Sequence, residues 1–398
     1  MTKPTQTTLG DLIEFQRGFD LPKSNFVHGE YPVQSSNGIL GYHNEYKVLG
    51  PGITIGRSGT VGKPHLLKCN FYPHNTSLFI KDFKGNNISY IFYLLKHLKL
   101  GNKKSGSGVP TMNRNHLHPL KITAYKELSD QENIARILSD IDTKIELNNK
   151  INAELEAITK LIYDYWFVQF DFPDENGKPY KSSGGKMVYN EDLKREIPDG
   201  WSVDVINNVI NVKDGTHDSP KPKSEGHPLI TSKNLKVEGL DFANANLISV
   251  EDYVSVNKRS KVDTGDILFS MIGSIGIIYK VDEKDINFAI KNVALYKTSQ
   301  TEDCKNYIYM FLKSYDMQRY MGNVISGSIQ KFIGLGALRN MPIFINDKTI
   351  KNYKDATNHI FEKLTLIKLE NQKLAELRDW LLPMLMNGQV TVKGQDEN

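Results

Sequence analysis

Two cysteines in 398 residues, Cys69 and Cys304, are too few and too far apart to suggest a disulfide framework. That scarcity points to a reducing compartment, so a cytoplasmic location is expected. Long apolar runs are missing as well: the longest, at 267–279, is too short and too polar to span a bilayer. The opening MTKPTQTTLGD lacks the apolar core of a signal peptide, so neither export nor a membrane partner is expected. Catalytic signatures are also absent. There is no G-x-G-x-x-G, and no Asn/Asp-Pro-Pro-aromatic run of the kind that holds a flipped base. GRSGTVGK at 56–63 has the composition of a phosphate loop but the wrong spacing. Arg57 stands where its first glycine belongs, and Pro64 replaces the required Ser or Thr. His65, Cys69 and His74 lack a fourth ligand for a metal. Asp174 with Asp192 and Lys194 matches a nuclease carboxylate set too loosely to count. Neither a catalytic residue nor a metal site is expected.

What is present describes an ordinary globular chain. Hydrophobic residues at 39% and charged residues at 24% exclude wholesale disorder, and the length allows two or three full cores. A net charge of +4 permits a polyanionic partner without demanding one, so local clustering of charge decides.

Residues 129–168 contain no proline or glycine, and Ser129 with Glu132 has the form of a capping box. Ile134, Leu138, Ile141, Ile145, Asn148, Asn152, Leu155, Thr159 and Ile162 follow a strict 4-3 step, the seam of a coiled coil. About forty helical residues make a rod of roughly 60 Å. The two mid-seam asparagines cost stability and fix register. A second copy follows 222 positions later: IELNNKINAEL at 145–155 answers IKLENQKLAEL at 367–377. Its seam runs through Ile360, Leu364, Ile367, Asn371 and Leu374, and the helix is expected to stop before Pro383. Two such helices in one chain are expected to pair with each other.

The stretches between them repeat too. GEYPVQSS at 29–36 answers GHPLITS at 226–232, and RSGTVG at 57–62 answers MIGSIG at 271–276. YIFYLLK at 90–96 answers YIYMFLK at 307–313, and Ser105-Gly-Ser answers Ser326-Gly-Ser. Short strands around turn glycines dominate both, with a buried helix expected at 88–98. The aromatic run Tyr163, Tyr165, Trp166, Phe167, Phe170 and Phe172 reads as a core where the first helix meets a globular domain. Residues 173–186, PDENGKPYKSSGGK, have a linker's composition. The divisions expected are 1–127, a helix at 128–170, a linker at 171–196, a second domain at 197–352, a helix at 353–388 and a tail at 389–398.

The remaining chemistry is polar, basic and carried by loops. Lys103, Lys104, Ser105, Ser107, Thr111, Asn113, Arg114, Asn115 and His116 crowd one glycine-hinged segment, with Arg57, Ser58 and Lys63 of the glycine turn as further candidates. In the second half Lys213, Thr216, His217, Ser219, Lys221, Lys223, Lys233 and Asn234 form a like cluster. Ser326, Ser328, Gln330 and Lys331 form the matching late loop. Lysines and hydroxyls suit phosphate oxygens, whereas Arg and Asn forks suit base edges in a major groove.

Domain, helix, domain, helix resembles the specificity subunit of type I restriction–modification systems. The residues that carry the resemblance are GILGYHN at 38–44, IGRSGTVG at 55–62, QENIA at 131–135, DYWFVQFDFP at 164–173, IPDGW at 197–201 and LRDWLLP at 377–383. The second domain departs from the pattern at Met271, where the first has Arg57. The resemblance implies an α+β fold: two tandem α/β target-recognition domains separated by two long antiparallel coiled-coil helices, with an internal pseudo-two-fold. It also implies that each domain reads half of an asymmetric bipartite duplex DNA site while the helices set the spacing. Two modification subunits using S-adenosylmethionine, and restriction subunits using ATP and Mg²⁺, would be partners, and this chain itself would bind no cofactor. Two other readings remain open: a methyltransferase or nuclease in its own right, and a helical scaffold that touches only proteins.

Overall fold

The structure is a computed structural model that describes residues 2–102, 111–191, 193–236, 239–327 and 331–392. The fold is mixed α+β and divides into two units. Unit 1 comprises residues 1–150 with 369–398, and unit 2 comprises residues 151–368. Among the described residues no helix is long and apolar enough to cross a membrane.

Unit 1 contains β1 (Thr5–Thr8), α1 (Leu9–Leu12), β2 (Glu14–Arg17), β3 (Tyr31–Ser35), β4 (Gly38–His43) and β5 (Gly52–Gly56). It continues with β6 (Pro64–Leu67), β7 (Tyr72–Pro73), β8 (Ser77–Asp82), α2 (Ile88–Leu98), α3 (Arg114–Leu117) and β9 (Lys121–Ala124). Three small sheets result: β1-β9, β2-β8-β5-β6 and β4-β3-β7, with β3 and β7 parallel. Helix α2 has the bounds its apolar run implied, and Asn87 caps it by accepting from the Tyr90 amide.

The first long helix, α4 (Leu128–Tyr163), starts at the floor of unit 1. Its opening is fixed by Gln131, fully buried, which accepts from Asn87 N and donates to Asn86 Oδ1 and to the Tyr125 carbonyl. The expected capping box does not form. The helix begins one residue earlier, so Ser129 lies within the first turn, not at its cap.

Unit 2 opens on the end of α4 and a single π-turn, Asp164–Val168. The turn swings Tyr163, Trp166, Phe167, Phe170 and Phe172 into one core with Trp201, Tyr307 and Tyr353, leaving Tyr165 outside. Residues 171–196 are not a loose linker. Asp171 is buried and accepts from the Ser182 amide and hydroxyl, and Tyr180 stacks on Phe172 at 4.8 Å. The aromatic core recruits the segment, which composition alone does not reveal.

The strands of unit 2 are β10 (Met187–Asn190), β11 (Arg195–Pro198), β12 (Ser202–Val205), β13 (Val212–Asp214), β14 (His227–Thr231) and β15 (Asn246–Ile248). Then come β16 (Ile267–Ser270), β17 (Ile278–Lys280), β18 (Ala289–Lys291), β19 (Val293–Tyr296) and β20 (Pro342–Ile345). Between them lie α5 (Ile206–Val209), α6 (Val250–Ser260), α7 (Lys305–Lys313), α8 (Tyr315–Val324) and α9 (Leu335–Arg339). Besides the hairpin β10-β11, its sheets β12-β20, β13-β19-β16-β17 and β15-β14-β18 repeat those of unit 1 in order, again with one parallel pair, β14 with β18. Helix α7 answers α2, as the sequence repeat required. Cys69 is exposed, whereas Cys304 is buried and its thiol is pushed up to about 11 by desolvation.

The second long helix, α10 (Asp347–Met386), begins earlier than expected and does not stop at Pro383. It begins inside the stretch assigned to the second domain because Asn346 caps it, accepting from the Thr349 amide and hydroxyl. It runs through Pro383 because the next turn buries Leu385 and Met386 in the core of unit 1, and Gly388, at φ +69°, then ends it. Within unit 1, Arg378 pairs with Asp142 at 2.7 Å, and Asn148 donates to Glu370 at 2.8 Å and to Asn371 at 2.9 Å. The two helices therefore run antiparallel there. Every seam position named above is buried or half-buried, including Asn148, Asn152 and Asn371. Asn148 spends its amide on α10, which is how a mid-seam asparagine fixes register.

Candidate nucleic-acid interface

In unit 1, β5 ends at Gly56 and the chain turns through Gly59 and Gly62, both with positive φ, before β6 begins. A Cβ on Gly62 would lie 2.3 Å from the Gly101 amide nitrogen, so the turn requires glycine. This is a strand-turn-strand, not the strand-loop-helix of a nucleotide loop. Arg57 N–H donates to the Thr76 carbonyl at 2.8 Å, its own carbonyl accepts from Met112 N at 2.9 Å, and Ser58 bridges Thr111. Arg57, Ser58 and Thr111 are thereby neighbours, although 53 residues separate Ser58 from Thr111. Asn113 accepts from the Asn115 amide at 3.0 Å and so caps the short helix α3, which holds Arg114, Asn115 and His116 exposed. Lys63 is exposed at the end of the glycine turn. Lys103, Lys104, Ser105 and Ser107 lie outside the described residues.

In unit 2 the same backbone frame holds different side chains. Ile333 N donates to the Met271 carbonyl at 2.9 Å, and Ile272 bridges Phe332, as Met112–Arg57 and Ser58–Thr111 do in unit 1. Met271 is buried, so this frame carries no cation where unit 1 has Arg57. Ser326 pairs with Phe332 through both backbone hydrogen bonds, and the Lys331 carbonyl accepts from Gly273 N. Ser328 and Gln330 lie outside the described residues.

The other cluster follows β13. Lys213 and Thr216 are half-buried, and His217, Ser219, Lys221 and Lys223 are exposed. Lys233 is exposed on the turn after β14. Asn234 is a correction: it is buried and used up locally, accepting from Thr231 and donating to the Asp241 carbonyl at 3.1 Å. A polar residue in a basic loop served the turn itself. Sequence reasoning missed Asp20, Asn75 and Asn292, which stand beside these candidates, because isolated polar residues near turns give no pattern.

His65 and His74 are partly buried, and desolvation holds both below the ordinary imidazole range. Among the described residues no group of three or more potential ligands converges on a metal site.

The family model for the type I restriction modification DNA specificity domain matches residues 4–157. This chain is similar to the type I specificity subunits. It is 25% identical over 320 residues to the type I restriction enzyme MjaIX specificity subunit of Methanocaldococcus jannaschii, covering 76% of this chain and 69% of that one. The MjaVIII specificity subunit of the same organism is 24% identical over 318 residues, covering 76% and 70%. Among solved structures, the type I restriction–modification system S subunit from M. genitalium superposes with a TM-score of 0.57 over 96% of both chains, at 16% identity. That likeness extends the specificity-subunit fold over both units, well past the segment that the family model covers.

Proposed function

We propose that the chain is the DNA-recognition subunit of a type I restriction–modification complex and performs no chemical step itself. Each unit serves as a target-recognition domain for one half of an asymmetric bipartite duplex site. The long helices act as an antiparallel coiled coil within a pseudo-two-fold repeat, set the spacing of the half-sites, and dock two modification subunits. Those subunits supply S-adenosylmethionine chemistry, and restriction subunits supply the steps that use ATP and Mg²⁺. The observation that carries this reading is the doubled frame: three sheets of the same strand order in each unit, with different loop side chains. Two copies of one scaffold with unlike surfaces suit two unlike half-sites. A protein-only scaffold would need neither the exposed Lys63, Asn113 and Arg114 of unit 1 nor the exposed Lys221, Lys223 and Lys233 of unit 2.

The chain incubated alone with S-adenosylmethionine, Mg²⁺ and mixed duplexes should modify nothing. With its methyltransferase partner it should direct methylation to one bipartite sequence, read by sequencing modified bases. Methyl transfer by the lone chain, or unselective modification by the pair, would overturn the proposal.

Arg114 is exposed on α3, and in this reading its guanidinium forks onto a base edge. Arg114→Ala should weaken binding to the cognate half-site by about 1–3 kcal/mol and relax preference at one base pair. Titrations against cognate and scrambled duplexes at several salt concentrations distinguish the roles. An equal loss on both, with a shallower salt slope, would mark a phosphate contact instead.

A further inference from the structure

In unit 1, Arg17 ends β2 opposite Leu78, and the chain turns at Gly18. In unit 2, Asp214 ends β13 opposite Ala294, and the chain turns at Gly215. The two turns are the same. Gly18 N–H donates to the Ser77 carbonyl at 3.0 Å, and Gly215 N–H to the Val293 carbonyl at 2.9 Å. Phe19 N–H donates to the Pro73 carbonyl and Thr216 N–H to that of Ile290, and each residue then forms a parallel bridge, Phe19 with His74 and Thr216 with Lys291. A Cβ on Gly18 would stand 2.2 Å from the His74 oxygen, and one on Gly215 2.4 Å from the Ile290 oxygen, so both crossings need glycine.

This register makes Arg17, Asp20 and Asn75 the counterparts of Asp214, His217 and Asn292. Asp20 accepts from Arg17 at 3.3 Å and from the Asn75 amide nitrogen. His217 meets Asp214 at 2.8 Å through Nε2, and the Asn292 side-chain oxygen at 2.9 Å through Nδ1. Acid and base have exchanged places around an asparagine that both units keep. Asp214 is buried and is also held by Arg259, so the imidazole leans on a fixed carboxylate. Arg57 donates to the Asn75 carbonyl at 3.4 Å, and Lys291 donates to Ser219, which ties each crossing to the loops already singled out.

The exchange decides which end of each amide is free. A carboxylate only accepts, so Asp20 takes the Asn75 nitrogen and leaves its side-chain oxygen as an acceptor. Both ring nitrogens of His217 face oxygens, so in its doubly protonated form it donates to Asp214 and to the Asn292 oxygen and leaves that amide nitrogen as a donor. We propose that Asn75 and Asn292 are matching base-reading residues with opposite preferences, a reading that rests on the DNA-recognition role above. Asn75 takes an exocyclic amine, cytosine N4 or adenine N6. Asn292 takes an exocyclic carbonyl oxygen, guanine O6 or thymine O4.

The test is site selection from random duplexes by the full chain with its modification subunit, alongside thermal melts of each variant. Asn75→Ala should lower discrimination about ten-fold at one base pair of one half-site and leave the other half-site unchanged. Asn292→Ala should do the reverse. Asp20→Asn, which keeps the side chain's size, should free the Asn75 amide to turn and let both base classes in at that pair. Arg17→Asp with Asp20→His should switch the preferred base there from amine-bearing to carbonyl-bearing. Folded variants that keep both half-sites, or that weaken every duplex equally, overturn the assignment. If the alanine variants unfold, Asp20→Asn decides alone: an unchanged preference overturns it. A wild-type complex that selects no site at all would instead remove the recognition role, before any variant is compared.

Discussion

Phe167→Ala is expected to cost unit 2 about 3–5 kcal/mol of stability, the range for truncating a buried phenylalanine. Phe167 is 1% exposed, and its ring lies 4.5 Å from that of Tyr307, 5.2 Å from Tyr353 and 5.8 Å from Trp201. Those rings come from α7, α10 and the turn before β12, so the cavity would open where three separate pieces of chain meet. None can collapse into it without losing its other partners, which puts the cost near the upper end. Tyr307 is also held by a 2.8 Å hydrogen bond to the Phe344 carbonyl, which resists relaxation toward the gap. Denaturant titration followed by tryptophan fluorescence measures it directly. Trp166 and Trp201 both lie in this core, and a Trp380→Phe background removes the tryptophan of unit 1. A loss below about 1 kcal/mol would mean that the aromatic cluster is not the keystone of unit 2.

A loss of comparable size is expected from Lys297→Met, by a different cause. Asp266 is fully buried, and Lys297 is its buried ion-pair partner, with a side chain 3% exposed. The ammonium also donates to Asp263 at 2.7 Å and to the Lys261 carbonyl at 3.1 Å, so all three of its donors are used. Methionine fills the volume but leaves the Asp266 carboxylate with only two backbone donors, Asp263 N at 2.8 Å and Ser299 N at 3.2 Å. Breaking one side of a buried pair costs about 3–5 kcal/mol because the surviving charge is stranded. Asp266→Asn added to Lys297→Met should restore part of that, since the amide carries no charge. The same fluorescence titration gives the coupling energy, and simple addition of the two losses would show the pair to be energetically independent.

The sequence made some elements legible and hid others for physical reasons. Helix α2 could be read to the residue because its apolar run starts directly after Asn87, which caps it. The helix seams were legible because a 4-3 step has few other causes. Asn346 was missed as a start signal because the seam legible in the sequence begins only at Ile360, several turns later. Pro383 misled because its lost hydrogen bond is offset by burial of Leu385 and Met386, a tertiary gain that local rules do not contain. Ser129 and Glu132 matched a capping box by type alone. The candidate interface was partly legible. Arg57 and Thr111 were both singled out, but their adjacency depends on a backbone bridge between distant segments. The crossings at Gly18 and Gly215 were invisible: RGFD at 17–20 and DGTH at 214–217 share only the glycine.

The division of the chain has a consequence for synthesis. Unit 2 is one uninterrupted stretch, 151–368, whereas unit 1 is closed by residues 369–398, which include the buried Leu385 and Met386. On the ribosome, residues 1–150 must therefore wait for the last turns of α10. Unit 2 can complete its core once Lys368 has left the exit tunnel, while the strands of unit 1 still lack the last turns of α10. The chain matures from its middle outward. A ribosome stalled after Lys368 has emerged but before the last turns of α10 have done so holds a finished second unit beside a first one still missing its lid.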